Sequence, residues 1–426
     1  MNQAGFAKVD ITPSEPLMLA GYASRESPHT SVAHPVYVRV ACLQIGRSAP
    51  VFIVGADLCG WGPRLCSTLY RRFSEEMGVA RAHVMLNASH GHSTAVTEDV
   101  LPLFYSMDDT MSAATARYTN SVLDAVMIAA HRAQAAMEEC VLEFCIGFAG
   151  FGVNRRRVRG GGLGNTTATD PDVPVLTAVR PDGSLKGLAF GYACHTTTQS
   201  GLALDPDYPG WASSELERTF PGIDTVFLSG CGGDINPLPR YRQGLEKAYG
   251  YQLASAVLDA LGHEDLRSGC GVERFTLDER FSAAAEEIHL PLLPAEATFL
   301  DGSNPLQRRC VRVLHEHQAR MRAEGRVPTE VPYAVQAWNL GGLNLIALSG
   351  EPVVDYSLSL RAKLGWSHTW VAGYCDNLVS YIPSERVLAE GGYEGFTAML
   401  EYGWPASYAP GLQSRIEKSI DKLLTD

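Results

Sequence analysis

Apolar and polar positions repeat with two different periods along this chain, and the switches between them outline its elements. Gly5 to Ile11 is a short apolar-rich run stopped by Thr12-Pro13 and followed by a loop, which predicts a strand. Two β-branched and aromatic runs, Val36 to Ile45 and Val51 to Asp57, flank Arg47-Ser48-Ala49-Pro50 and predict two strands joined by a turn. A helical pattern from Pro63 to Met77 separates them from a further strand, His83 to Asn87, and this strand, helix, strand order predicts parallel pairing. The longest helical pattern runs from about Asp108 to Glu138, with Asp108-Asp109-Thr110 as its start signal.

Further strands are predicted at Val141 to Phe148, Gly187 to Ala193 and Thr225 to Leu228, with helices at Trp211 to Arg218 and Leu245 to Leu261. The stretch Gly262 to Cys270 is the best boundary, dividing a single domain into halves of about 1–265 and 266–426. The second half carries strands at Val272 to Leu277, Glu286 to Leu290, Leu343 to Leu348 and Thr369 to Gly373. Its helices span about Pro305 to Glu324 and Pro352 to Leu364. The fold class expected is α/β, with mixed, largely parallel sheets flanked by helices.

Composition narrows the functional classes. The 426 residues are 46% hydrophobic and 19% charged, enough apolar material for a large core. A net charge of −12 argues against nucleic acid as the ligand, since phosphate binding needs a dense excess of Lys and Arg. The exception is the run Arg155-Arg156-Arg157-Val158-Arg159. The N-terminus shows no charged-then-apolar signal pattern and no segment is long and apolar enough to insert in a membrane, so a cytoplasmic location is expected. Ten cysteines without CxxC pairs predict free thiols and no cysteine-based zinc site. A small-molecule substrate is the partner expected, and a homo-oligomer stays open.

Chemistry concentrates where apolar runs end. Ala88-Ser89-His90-Gly91-His92-Ser93 and Ala193-Cys194-His195-Thr196-Thr197-Thr198 both stop at histidine and continue into small and hydroxyl residues. Two such strand ends read as halves of one metal site, or as hydrogen-bonded structural histidines. On a straight extended segment His90 and His92 would point to opposite sides, but Gly91 is expected to break that geometry, with one histidine ligating and the other serving as acid or base. Glu351 lies between an apolar strand and Pro352, where a carboxylate suits a metal or simply a helix N-terminus. The turn Gly230 to Pro237 reads as a backbone nest for an anion, with Asp234 supporting the histidines, or as a tight turn. Among the arginines Arg155 follows a strand and Asn154, a position from which a guanidinium reaches a carboxylate or carbonyl. There is no GxSxG elbow, Walker loop or HExxH helix, and Gly160-Gly161-Gly162-Leu163-Gly164 lacks dinucleotide spacing.

Taken in order, Lys8-Val9-Asp10-Ile11-Thr12-Pro13 with Gly21-Tyr22, Asp57-Leu58, the first histidine stretch, Val153-Asn154-Arg155, the second histidine stretch, Gly233-Asp234-Ile235-Asn236-Pro237, Gly350-Glu351-Pro352 and Ser380-Tyr381-Ile382-Pro383 resemble the catalytic region of the neutral/alkaline non-lysosomal ceramidase family. The resemblance implies one zinc held by His90, His195, Glu351 and Tyr381, at strand ends between the two halves. It also implies His92 beside the metal and Arg155 in contact with substrate. That family has serine where this chain has Asn236, and the chain ends too soon for a C-terminal immunoglobulin-like domain. The expectation is therefore a zinc-dependent, ceramidase-like amidase that hydrolyses an amide or ester of a small polar substrate. His92, Arg155, Asp234 and Asn236 serve the reaction, while Arg155, Asn236 and Asn154 bind substrate. Two alternatives remain: a metal-dependent lyase or glycosidase stacking sugars on Trp211, Trp366 or Trp370, and a non-catalytic binding protein.

Overall fold

The structure is a computed structural model that describes residues 1–105, 107–156, 168–262, 274–294 and 305–425. The glycine loop at 160–164, Arg157 and Arg159, and most of the boundary at 262–270 lie outside the described residues.

Thirteen strands make one continuous sheet: β1 (Asn2–Asp10), β2 (Tyr37–Gln44), β3 (Val51–Ala56), β4 (Val84–Ala88), β5 (Glu138–Phe148), β6 (Asp172–Val179), β7 (Leu185–Tyr192), β8 (Asp224–Ser229), β9 (Phe275–Thr276), β10 (Phe281–Pro291), β11 (Glu330–Leu340), β12 (Leu343–Ser349) and β13 (Thr369–Cys375). Their order across the sheet is β8-β7-β6-β5-β1-β2-β3-β4-β13-β12-β11-β10, with β9 added to β5. The principal helices are α1 (Pro63–Met77), α2 (Asp109–Ala135), α3 (Asp207–Thr219), α4 (Leu245–Gly262), α5 (Pro305–Ala323), α6 (Asp355–Leu364) and α7 (Leu412–Thr425). Only three residues of β1, Asn2 to Ala4, pair with β5, so the sheet folds over at that joint. One buried cluster joins residues from both arms, including Phe144, Val226, Trp338 and Trp370. The outer faces are covered by helices: α1 and α2 over the arm carrying β1 to β4, α3 and α4 over β5 to β8, and α6 and α7 over β10 to β13. The result is helix, sheet, sheet, helix.

The mixed sheet flanked by helices is as expected, and its parallel share is smaller than expected. The parallel ladders are β3 with β4, β7 with β8 and β12 with β13. Each of those three pairs is connected through a helix, α1, α3 and α6 respectively. Elsewhere short connections return the chain at once, as in β2 to β3, β6 to β7 and β11 to β12, and neighbours joined that way pair antiparallel. Strand β6, strand β11 and helix α7 had no counterpart in the sequence reading. Helix α6 starts at Asp355, later than the expected Pro352, because Glu351 and Pro352 first pair with Tyr381 and Ile382. Helix α1 matches its expected bounds, and Asp108 caps α2 by accepting from the Met111 N–H at 2.8 Å.

Candidate metal centre

Strands β4 and β7 bring the two histidine stretches alongside each other. Gly91 bridges Thr196, the His92 N–H donates to the Thr196 carbonyl at 3.2 Å, and the Thr196 hydroxyl donates back to the Ser89 carbonyl. The backbone leaves the extended form at His90 itself, whose φ of 57° is rare for a residue with a side chain, and not at Gly91. That turn cancels the opposite-face geometry of an i, i+2 pair. The His90 and His92 rings face one another with Nε2 atoms 3.0 Å apart.

The third group arrives from the other half of the chain. Past β12, Gly350 takes φ 65°, and a Cβ there would sit 2.5 Å from the Ser380 carbonyl, so glycine alone fits. Glu351 then pairs in parallel with Tyr381, which sets both side chains beside the histidines. The Glu351 Oε2 atom lies 3.2 Å from His90 Nε2 and 3.1 Å from His195 Nε2, and the Tyr381 hydroxyl is 3.0 Å from His195 Nε2. All four residues are buried.

Hydrogen bonds fix which ring nitrogens face inward. His90 Nδ1 is 2.7 Å from the Cys59 carbonyl and His195 Nδ1 is 2.6 Å from the Gly232 carbonyl. A carbonyl only accepts, so each Nδ1 carries a proton and donates it, leaving the Nε2 lone pairs aimed at the carboxylate oxygen. Three electron-rich atoms converge, and Glu351 Oε2 at their centre has no hydrogen-bond partner. His90, His195 and Glu351 thus form a donor set that fits a divalent cation such as zinc. Without one, protons take its place: burial opposes charge on His90, but the Glu351 carboxylate outweighs it and pushes the imidazole up to about 10. His195, buried and facing Arg155, is pushed down to about 4. Burial works against the Glu351 carboxylate, but His90 and His195 together hold it well below its usual range. His92 is driven well below the ordinary histidine range by burial and by both other histidines.

These groups sit beside a cleft of about 520 Å³ lined by His92, Arg155, His195, Thr197, Asn236 and Tyr381, among others. Arg155 donates to Glu394 Oε1 at 2.7 Å and to the Gly233 carbonyl at 2.8 Å, and its guanidinium lies over the Tyr381 ring. The Asn236 Oδ1 and Thr197 hydroxyl are buried without partners. No described residue lining the cleft has an aliphatic side chain.

Two expected site residues are placed elsewhere. Asn154 Nδ2 donates to Asp234 Oδ2 at 2.8 Å, and Asp234 Oδ1 accepts from the Val354 N–H at the start of α6. They brace the 230–237 turn against α6 and do not line the cleft, because burial with mutual partners consumes their polar atoms. Burial pushes the Asp234 carboxyl up to about 6. The turn is no anion nest either: the Gly232, Gly233 and Ile235 N–H groups all donate to protein carbonyls. Gly233 is needed for proximity, since a Cβ there would lie 2.6 Å from the Glu351 carbonyl. Trp211, Trp366 and Trp370 are absent from the cleft, and Trp370 is buried in the core between the two arms.

Sequence reasoning missed Tyr402, which donates to Glu351 Oε1, Tyr374, which stacks on His90 at 4.4 Å, and Glu394, which accepts from Arg155 and Arg156. They follow no motif, and only the charge-rich Glu390-Gly391-Gly392-Tyr393-Glu394 stretch offered a signal. Cys42, Cys59, Cys66, Cys140, Cys145, Cys194, Cys231 and Cys375 are buried and outside any disulfide, and among the described residues no helix is long and apolar enough to cross a membrane.

No protein-family model matches the chain, and no curated protein matches its sequence. Solved structures do match. The crystal structure of neutral ceramidase from Pseudomonas aeruginosa aligns over 98% of this chain and 73% of its own, with a TM-score of 0.74 and 19% identity. A ceramidase complexed with C2 aligns over 98% and 74%, with a TM-score of 0.75 and 18% identity. The expected resemblance therefore holds at the level of fold.

Proposed function

We propose that a chain with the fold of neutral ceramidase, carrying this cluster, is a zinc-dependent hydrolase that cleaves an amide, or secondarily an ester, of a small polar substrate. One observation carries the reading: His90 Nε2 and His195 Nε2 each lie within 3.2 Å of Glu351 Oε2, with each Nδ1 committed to a backbone carbonyl. Those three residues would hold the ion, with Tyr381 as a fourth ligand. Zinc bound there supplies Lewis acidity toward a scissile carbonyl and toward water.

The remaining steps belong to this chain's side chains. His92 Nε2, on the histidine side of the cleft, takes the proton given up by the attacking water and returns it to the leaving nitrogen. Arg155, fixed by Glu394 and the Gly233 carbonyl, holds positive charge where the carbonyl oxygen becomes negative. Asn236 presents an unpartnered buried amide oxygen to the polar half of the substrate. An amide cannot act as nucleophile, so Asn236 binds and does not attack. The polar, tyrosine- and arginine-rich lining favours a small polar molecule over a long acyl chain.

Metal analysis tests this first. Protein prepared with excess zinc is expected to hold one equivalent, and less than about half an equivalent rejects the reading. His195→Ala and Glu351→Ala are each expected to lose the metal with an unchanged circular dichroism spectrum. Full zinc occupancy in both would reject the ligand set. Turnover of short N-acyl amides should release a free amine, whereas an unsaturated product from uronic-acid oligosaccharides would favour a lyase.

A further inference from the structure

The charges lining the cleft do not cancel. Arg155 and Arg156 are bound by Glu394 and Glu390, with Arg155 to Glu394 at 2.7 Å, Arg156 to Glu394 at 2.7 Å and Arg156 to Glu390 at 3.0 Å. Arg240 is the third lining cation, and among the described residues it forms no ion pair. Its guanidinium lies 4.4 Å from the centre of the Tyr241 ring, a stacking contact that leaves the N–H edges open. The segment bearing it is fixed on both sides: the Tyr249 hydroxyl donates to the Pro239 carbonyl at 2.7 Å, and the Tyr241 N–H donates to the Thr198 carbonyl at 2.7 Å. The same segment begins at Asn236, which with Thr197 offers unpartnered buried polar atoms to the cleft. A protein of net charge −12 thus keeps a held guanidinium, without an ion-pair partner among the described residues, over this cleft.

We infer that Arg240 is a specificity-determining residue that binds a carboxylate on the polar half of the substrate, so that the substrate class is N-acyl amino acids or closely related acidic amides. This rests on the hydrolase reading for the reaction, but the recognition stands on the cleft's own charges. A planar guanidinium with free edges matches a carboxylate in two parallel hydrogen bonds, whereas a neutral amide gains only one. Asn236 and Thr197 are left to pair with the amide backbone of the same molecule. Cleavage consumes water and yields the acyl carboxylate and a free amino acid, so the enzyme belongs beside a reaction class that supplies N-acylated amino acids.

The test separates recognition from turnover. Two isosteres in which a ketone replaces the scissile amide and cannot be hydrolysed there, 4-oxononanoic acid and 4-oxononanamide, are titrated calorimetrically into the zinc-loaded full chain and into its Arg240→Ala and Arg240→Gln variants. The acid is expected to bind about tenfold more tightly than the amide to the unaltered protein, the scale of a charge-assisted hydrogen-bonded pair. In both variants the ratio is expected to fall to about one. Equal affinity in the unaltered protein overturns the inference. So does a preference that survives in both variants, since the carboxylate would then sit on the metal or on Arg155. Hydrolysis of hexanoylglycine is followed separately. A binding preference that depends on Arg240 without any release of glycine leaves the inference standing and rejects the hydrolase reading.

Discussion

At the residue scale the site depends on atoms that never face the cleft. Glu351 offers one oxygen to the two histidines, while its other oxygen accepts from the Tyr402 hydroxyl. Partners of this kind orient a ligand and tune its basicity, and their loss typically weakens metal binding by about 10- to 100-fold. Tyr402→Phe is therefore expected to raise the zinc dissociation constant by about that factor while the fold is kept, as a competing chelator would measure. An unchanged constant would remove Tyr402 from the site. The histidines were legible in the sequence because each ends an apolar run. Their arrangement was not, because the turn sits at His90, whose φ of 57° no local pattern announced. Tyr402, fifty-one positions from Glu351, has no sequence signature at all.

At the element scale the start of α3 carries a pH-dependent load. Asp205 is buried, its Oδ1 accepts from the Asp207 N–H at 2.6 Å, and it lies 3.3 Å from the Trp211 indole nitrogen. Burial first, and then the Asp207 carboxylate, push its pKa up to about 7. In the unfolded chain the same group ionises near 4. Its contribution to stability is complete below that pH and is lost as pH rises toward 7, where the folded state must surrender the proton. Asp205→Asn keeps an acceptor and never ionises. Relative to the unaltered protein it should gain about 3.5 kcal/mol between pH 4 and pH 7.5, read from denaturant unfolding at both pH values. A difference that does not change with pH would refute the assignment. Helices like α3 and α1 were legible because apolar period and start signals coincide. Strands β6 and β11 escaped notice because their alternation is irregular and prolines interrupt them at Pro174 and Pro332.

At the scale of the whole molecule, one sheet runs through both halves, and the proposed metal ligands come from both, His90 and His195 from the first and Glu351 and Tyr381 from the second. A ligand that binds only the folded state stabilises it by mass action, about 2.7 kcal/mol at a hundredfold excess over its dissociation constant. Calorimetry is expected to show one unfolding transition that zinc shifts upward as a unit. Two transitions, only one of them sensitive to zinc, would break the coupling. By itself the sequence determined the α/β class, most helices, the strand ends that carry histidine, and the ordered motifs of a ceramidase-like fold, because these rest on local periodicity and on residue type. Only the tertiary structure decided that the sheet folds over at a three-residue joint and is mostly antiparallel, that Asn154 and Asp234 brace a turn, and that Arg240 faces the cleft unpaired. Those outcomes depend on which distant groups share a buried polar atom, and hydrogen-bond competition between residues far apart in the chain leaves no trace in any local stretch of it.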